Sequence, residues 1–163
     1  KRNIMEKMNS PDVFYSGTMF GETLSIAAAI ATIKKIEREG VVQHLYDNGT
    51  KLTEQIENII EIHRLQDVIG ISGNPTKANL TFKDHARGTK DQIRALFMQE
   101  MTQQGVLIIA SNTMSFAHKM PEMKRILTAY EETLALITAS LDNGDISDLV
   151  DNVVEAAPLR ATA

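Results

Sequence analysis

The pattern that most constrains this chain follows Pro121, where Met123, Ile126, Leu127, Tyr130, Leu134, Ile137 and Leu141 fall on one helical stripe. Proline is tolerated in a first turn and Asn143-Gly144 supplies the stop, so the spacing predicts one long amphipathic helix. A stripe of that length needs an apolar surface to cover. From Glu22 to about Glu39, Ile26, Ile30, Ile33 and Ile36 with Ala27 to Ala29 and Ala31 predict a second helix ended by Gly40. Its Ala-rich first half is expected to pack closely and its charged second half to face water. A third helix is predicted from Val41 to about Arg64 on Leu45, Leu52, Ile56, Ile59 and Ile60, with Gly49 a point where it bends or splits.

Between these helices the periodicity changes to that of strands. Val68 to Ser72 and Ala78 to Phe82 read as neighbouring strands, with turn chemistry at Gly73-Asn74-Pro75. Thr89 is the expected cap of a helix carrying Ile93, Leu96, Phe97 and Met101 and ended by Gln104-Gly105. Val106 to Ala110 is then predicted as a fully buried strand. The order implies an α+β fold, with helices packed on a small, mainly antiparallel sheet. After Gly144, an acidic stretch with Asp145, Asp148, Asp151 and Glu155 predicts a short helix, and Pro158 to Ala163 a loose tail.

The composition excludes several function classes. With 17 Lys+Arg against 21 Asp+Glu the formal charge is -4, which gives no field to attract nucleic acid or an anionic membrane. The chain has no cysteine, which removes disulfides, thiolate metal ligation and a Cys nucleophile, and suits a reducing, cytoplasmic setting. The longest strongly apolar stretch, Ile26 to Ala31, is far below the roughly 20 residues a bilayer crossing needs, so no membrane span is predicted. Eight methionines and no tryptophan point to a core of Ile, Leu, Val, Ala and Met. The first residue, Lys1, is not an initiator Met, and the sequence reads as one entered partway along a longer chain.

Phe14 to Leu24, with Ser16-Gly17-Thr18-Met19-Phe20-Gly21-Glu22, is a Gly-containing loop feeding directly into the first long helix. Such a loop offers N–H groups and a hydroxyl to an anion, phosphate being the natural one, because a helix start has unpaired donors and a positive dipole end. Ser, Thr and Gly before a helix also serve as ordinary caps, and the loop matches neither the P-loop nor the dinucleotide-binding fingerprint. His44, His63, His85 and His118 have no metal-ligand spacing, so no metal site is predicted. His44 and His63 are expected on a solvated helix face and His85 in a polar loop, whereas His118 either donates to a buried carbonyl or acts as an acid or base.

At Phe14 to Glu39 and Gly105 to Ile137 the sequence resembles the class III pyridoxal-phosphate-dependent aminotransferases, particularly the glutamate-1-semialdehyde aminomutase branch. The resemblance rests on Ser16-Gly17-Thr18 with Gly21 and the Ala-rich helix behind it, on Gln104-Gly105-Val106-Leu107-Ile108, and on Ser115-Phe116-Ala117-His118 followed by Tyr130-Glu131-Glu132. One departure stands inside the loop: Glu22-Thr23 occupies the place where many members of the family have Asn-Pro.

The resemblance implies the C-terminal portion of a fold-type I enzyme with pyridoxal 5'-phosphate as cofactor. Residues 1–40 would end the large domain with the phosphate loop and connecting helix, 41–144 would form the small domain and 145–163 a tail. Gly17 and Thr18 are the cofactor-binding residues it implies, serving the phosphate held by the partner subunit of a homodimer. The Schiff-base lysine, the aspartate facing the pyridine nitrogen and the stacking aromatic belong upstream, and Lys1 and Lys7 fall in the wrong motif to replace that lysine. No catalytic residue is therefore expected in this chain, which alone should transfer no amino group between the small-molecule amino donor and acceptor of its parent. A stand-alone, non-catalytic α+β binding or interaction module derived from the same fold is the competing expectation.

Overall fold

The computed structural model describes residues 2–14, 16–143, 146–151 and 153, and the chain divides into two units, Lys1–Gly40 and Val41–Ala163. The first holds helix α1 (Arg2–Glu6), a 3-10 turn at Lys7–Asn9 and helix α2 (Thr23–Arg38). Gly40 ends the second helix in a left-handed conformation, φ 59°, with its N–H donating to the Glu37 carbonyl. The expected helix is present, but its Ala-rich half is not packed as predicted, since neither α1 nor α2 buries a residue. Ile26, Ile30 and Ile33 remain 47, 48 and 55% exposed. Two helices within about 40 residues provide too little second layer to cover such a stripe.

The second unit starts with helix α3 (Val41–Ile62), followed by strands β1 (Ile69–Asn74) and β2 (Lys77–Phe82), helix α4 (Lys90–Gln103), strand β3 (Ser111–Thr113) and helix α5 (Met120–Asn143). The sheet runs β1-β2-β3 and is antiparallel throughout, with Ile69 opposite Phe82 and Ala78 opposite Asn112. The hairpin turns on Pro75-Thr76, where the Asn74 side-chain carbonyl accepts from the Thr76 N–H at 3.0 Å. Helix α3 runs unbroken through Gly49, so that glycine does not split it. Thr89 caps α4 as expected, reciprocally with Gln92.

Helices α3, α4 and α5 contribute Ile56, Ile60, Ile93, Leu96, Phe97, Leu134 and Ile137 to one core with Ile69 and Leu80 of the sheet. A row of rings, Phe82 to Phe97 at 5.7 Å and Phe97 to Tyr130 at 5.5 Å, carries the packing from sheet to α4 to α5. Tyr130, fully buried, keeps its hydroxyl paired with the buried Asn112 side chain at 2.8 and 3.0 Å.

The predicted strand Val106 to Ala110 does not form. Ala110 lies at φ 61°, outside strand geometry, and the ladder begins only at Ser111. The run is half buried rather than fully so, with Ile108 and Ala110 inward while Leu107 and Ile109 stay 90 and 72% exposed. The helix expected after Gly144 is a single 3-10 turn, Ile146–Asp148, and Ile146 is fully buried. Asp145, Glu155 and the Pro158 to Ala163 tail lie outside the described residues.

Candidate functional site

In the first unit, Gly17 to Glu22 folds as two successive turns. The Phe20 N–H donates to the Gly17 carbonyl at 3.0 Å, and the Glu22 N–H to the Met19 carbonyl at 3.2 Å. Gly21 takes φ 77°, a conformation that other residues adopt only at a cost. At Gly17 a Cβ would stand 3.1 Å from the Phe20 ring, so the turn is drawn closely over that ring.

The chain then enters α2 through Glu22, whose backbone is extended and whose carboxylate accepts from Leu24 N–H at 2.9 Å and Ser25 N–H at 2.6 Å. Hydrogen bonding from the Ser25 side chain, then from the Ser25 and Leu24 backbone N–H groups, holds this carboxyl below its ordinary pKa. The positive end of the helix is thus already met by a carboxylate of the same chain.

Thr18 is exposed, and its hydroxyl makes no hydrogen bond to a described residue. This bears on the fit of a phosphate. A hydroxyl donor on a glycine-containing, solvent-facing turn suits a phosphate ester. The two helix donors taken by Glu22 do not contribute, so the fit is confined to the Gly17-Thr18 turn. Sequence reasoning placed Gly17 and Thr18 in one loop but missed Glu22 as the cap, because glutamate is not among the preferred N-cap residues.

The histidines are in the second unit, where His44 meets the His118 backbone while His63 and His85 have other partners. His118 Nδ1 accepts from the Ser115 N–H at 3.2 Å, a local tie within the Ser115 to Lys119 loop. The His118 carbonyl is approached by His44 Nε2 at 3.3 Å and by the Asn48 amide. His44 also packs edge-on against Phe116, and the Lys119 ammonium lies 3.6 Å from the centre of the Phe116 ring. His63 pairs with Glu131 at 2.9 Å. Both His44 and His63 are half-buried and partnered, not solvated as expected, because α5 and the loop before it lie against that face of α3. His85 stays in its polar loop, bridged to Gly88. Among the described residues no three His, Asp or Glu groups assemble as a metal cluster. A cavity of about 540 Å³ between α3 and α5, lined by Ile59, Met123 and Leu127 with Lys51 and Glu131, shares no residue with the Gly17-Thr18 turn.

No family model matches this chain. Among curated proteins it is similar to the glutamate-1-semialdehyde 2,1-aminomutase of Methanocella arvoryzae, 26% identical over 148 residues, covering 84% of this chain and 35% of that protein. The enzyme of the same name from Archaeoglobus fulgidus is 27% identical, covering 82% of this chain and 34% of its own length. A 3-aminobutyryl-CoA aminotransferase of Cloacimonas acidaminovorans is 24% identical, covering 79% and 31%. The chain thus spans about a third of the length of these relatives. Among solved structures it superposes on a PLP-containing form of the Sphingopyxis sp. MTA144 FumI protein with a TM-score of 0.69, at 18% identity over 85% of this chain and 33% of that one. A transaminase with PLP bound gives 0.67 at 14% identity, covering 81% and 31%. The resemblance read from the residues is therefore borne out, and the fold is one that part of these PLP enzymes shares. No described helix is long and apolar enough to cross a membrane.

Proposed function

We propose that this chain is the C-terminal part of a PLP-dependent aminotransferase or aminomutase, in which Gly17 and Thr18 hold the cofactor phosphate across a homodimer interface. The similarity to aminomutases over about four fifths of the chain supports this reading, and the exposed Thr18 hydroxyl on a glycine turn supplies a donor of the right chemistry. Residues 1–40 then close the large domain, 41–144 form the small domain, and the lysine that links the cofactor stands outside this chain. The parent is a cytoplasmic enzyme acting on a small amino donor and acceptor.

PLP, when bound, supplies the electron sink for amino-group transfer. The part played by this chain is positional. The Thr18 hydroxyl and the turn donate to phosphate oxygens, Gly21 lets the chain reverse before α2, and Glu22 keeps the first turn of that helix intact. The second unit contributes a rigid core carrying the Ser115 to Lys119 loop, tied to α3 through His44 and Asn48.

In the parent enzyme, Thr18→Ala should weaken cofactor retention by about 1–3 kcal/mol through loss of a charge-assisted hydrogen bond. Equilibrium dialysis of the cofactor measures this, and unchanged affinity would leave Thr18 a turn residue only. For the 163-residue chain, borohydride reduction after addition of PLP should mark no single lysine, and no amino group should be transferred. Stoichiometric labelling at one lysine with turnover contradicts the proposal.

A further inference from the structure

If the Gly17-Thr18 turn is where phosphate binds, the residue that limits its hold is Glu22. We propose that the Glu22 carboxylate acts as a built-in anion at the start of α2, confining phosphate to the Gly17-Thr18 turn and weakening its binding there by charge repulsion. The inference rests on the phosphate reading of that turn and concerns a residue to which that reading gives no part.

Three observations carry it. The Leu24 and Ser25 N–H groups both donate to Glu22, at 2.9 and 2.6 Å, so an incoming phosphate finds two of the first donors of α2 already taken. Glu22 stands only four residues beyond Thr18, which even a fully extended chain limits to about 14 Å between Cα atoms; the Gly17-Phe20 and Met19-Glu22 turns shorten that reach. Finally, Glu22 is only partly buried, so its influence passes mainly through water. Charges at that separation interact across a Debye length of about 30 Å at 0.01 M salt, and much less at 1 M, where it is about 3 Å. The repulsion is therefore a low-salt effect, whereas a lost hydrogen bond would not depend on salt in this way.

The test is a titration of the isotopically labelled 163-residue chain with inorganic phosphate, and with 4'-deoxypyridoxine phosphate, a phosphate ester lacking the aldehyde that reacts with lysines. Amide signals of Gly17 to Ser25 are followed at about 0.01 M and 1 M salt. In the unaltered chain Gly17, Thr18 and Met19 should respond while Leu24 and Ser25 stay still. Glu22→Asn keeps a strong neutral cap and should bind about threefold more tightly at low salt, the order expected for one unit charge near a phosphate in water, with the difference gone at high salt. Glu22→Ala opens the helix end, and Leu24 and Ser25 should then respond to phosphate as well.

Equal affinity of the unaltered and Glu22→Asn chains at low salt overturns the inference while leaving the phosphate turn in place. So does a gain that persists at 1 M salt, or movement of Leu24 and Ser25 in step with Thr18 in the unaltered chain. No response at Gly17 to Met19 in any variant overturns the phosphate reading itself, and this inference with it. Undisturbed α2 signals beyond the first turn exclude unfolding as the source of any change.

Discussion

Gly49 is a buried glycine in the middle of α3, and helix propensity alone says that alanine there should stabilise the protein by about 1 kcal/mol. The structure predicts the opposite sign. A Cβ at Gly49 would overlap the Pro75 carbonyl and stand 3.2 Å from the Thr76 nitrogen. The obstacle is backbone, in a turn fixed on both sides by the pairing of Asn74 with Lys77. That turn is also tied to α3 by the Asn74 amide donating to the Tyr46 hydroxyl at 3.1 Å. Relief requires the hairpin to move away from the helix, which loses this tie and the packing beneath it. Overpacking of this kind costs about 1–3 kcal/mol, and backbone overlap belongs at or above the upper end. After the propensity gain, Gly49→Ala should still cost about 2 kcal/mol. At roughly 2.1 cal/mol/K per residue over about 120 residues, that is a fall of about 8 °C in Tm. Differential scanning calorimetry of the chain measures it, with Thr50→Ala on the exposed side of the same helix expected within about 0.5 kcal/mol of the original. A Gly49→Ala protein as stable as the original, or more so, would refute the argument that α3 is pressed onto the hairpin.

Tyr130→Phe should cost about 1–3 kcal/mol at neutral pH, because the buried Asn112 amide loses its partner. Burial raises the Tyr130 pKa above the ordinary 10.0. The folded protein therefore keeps this proton where the unfolded chain sheds it, and stability falls above pH 10 by up to about 1.4 kcal/mol per pH unit. Urea midpoints between pH 8 and 11.5 should converge for the two proteins at the alkaline end; parallel curves count against a buried, protonated Tyr130. Glu22 has its pKa held below 4.5, so the α2 cap is present above that pH and is lost only as pH falls through the lowered value. Leu24 and Ser25 amide shifts that titrate at or above 4.5 would contradict the cap. Ile146→Ala should cost about 2–5 kcal/mol, as for a core position, where a tail residue would cost almost nothing in a denaturant titration.

Legibility in the sequence followed the range of the forces involved. The α5 stripe, the Thr89 cap and the β1–β2 hairpin rest on residues close in the chain, so periodicity and turn chemistry sufficed. The Val106 to Ala110 run illustrates the limit: five apolar residues are compatible with burial on both faces, yet Leu107 and Ile109 turn away from the core that Val106, Ile108 and Ala110 meet. The left-handed backbone at Ala110 that ends the ladder has no glycine or asparagine to announce it. His44 and His63 were misplaced for a related reason. Helical spacing assigned both to a polar face, but their partners, the His118 carbonyl and the Glu131 carboxylate, lie 74 and 68 residues away.

The loop divides the same way. Its residues point to an anion because glycine, hydroxyl and helix start occur together, and that conjunction is local. Which donors are still open is decided by Glu22, whose backbone turns after Gly21 so that its longer side chain reaches two N–H groups normally met by a shorter cap. A sequence pattern counts the donors a helix start possesses, whereas a ligand meets only those left over. Here the remainder is the Thr18 hydroxyl, its turn and the Thr23 N–H, beside a fixed negative charge. Any grip this chain has on phosphate must therefore come from hydrogen bonding at the turn, with the field of α2 largely cancelled before the ligand arrives.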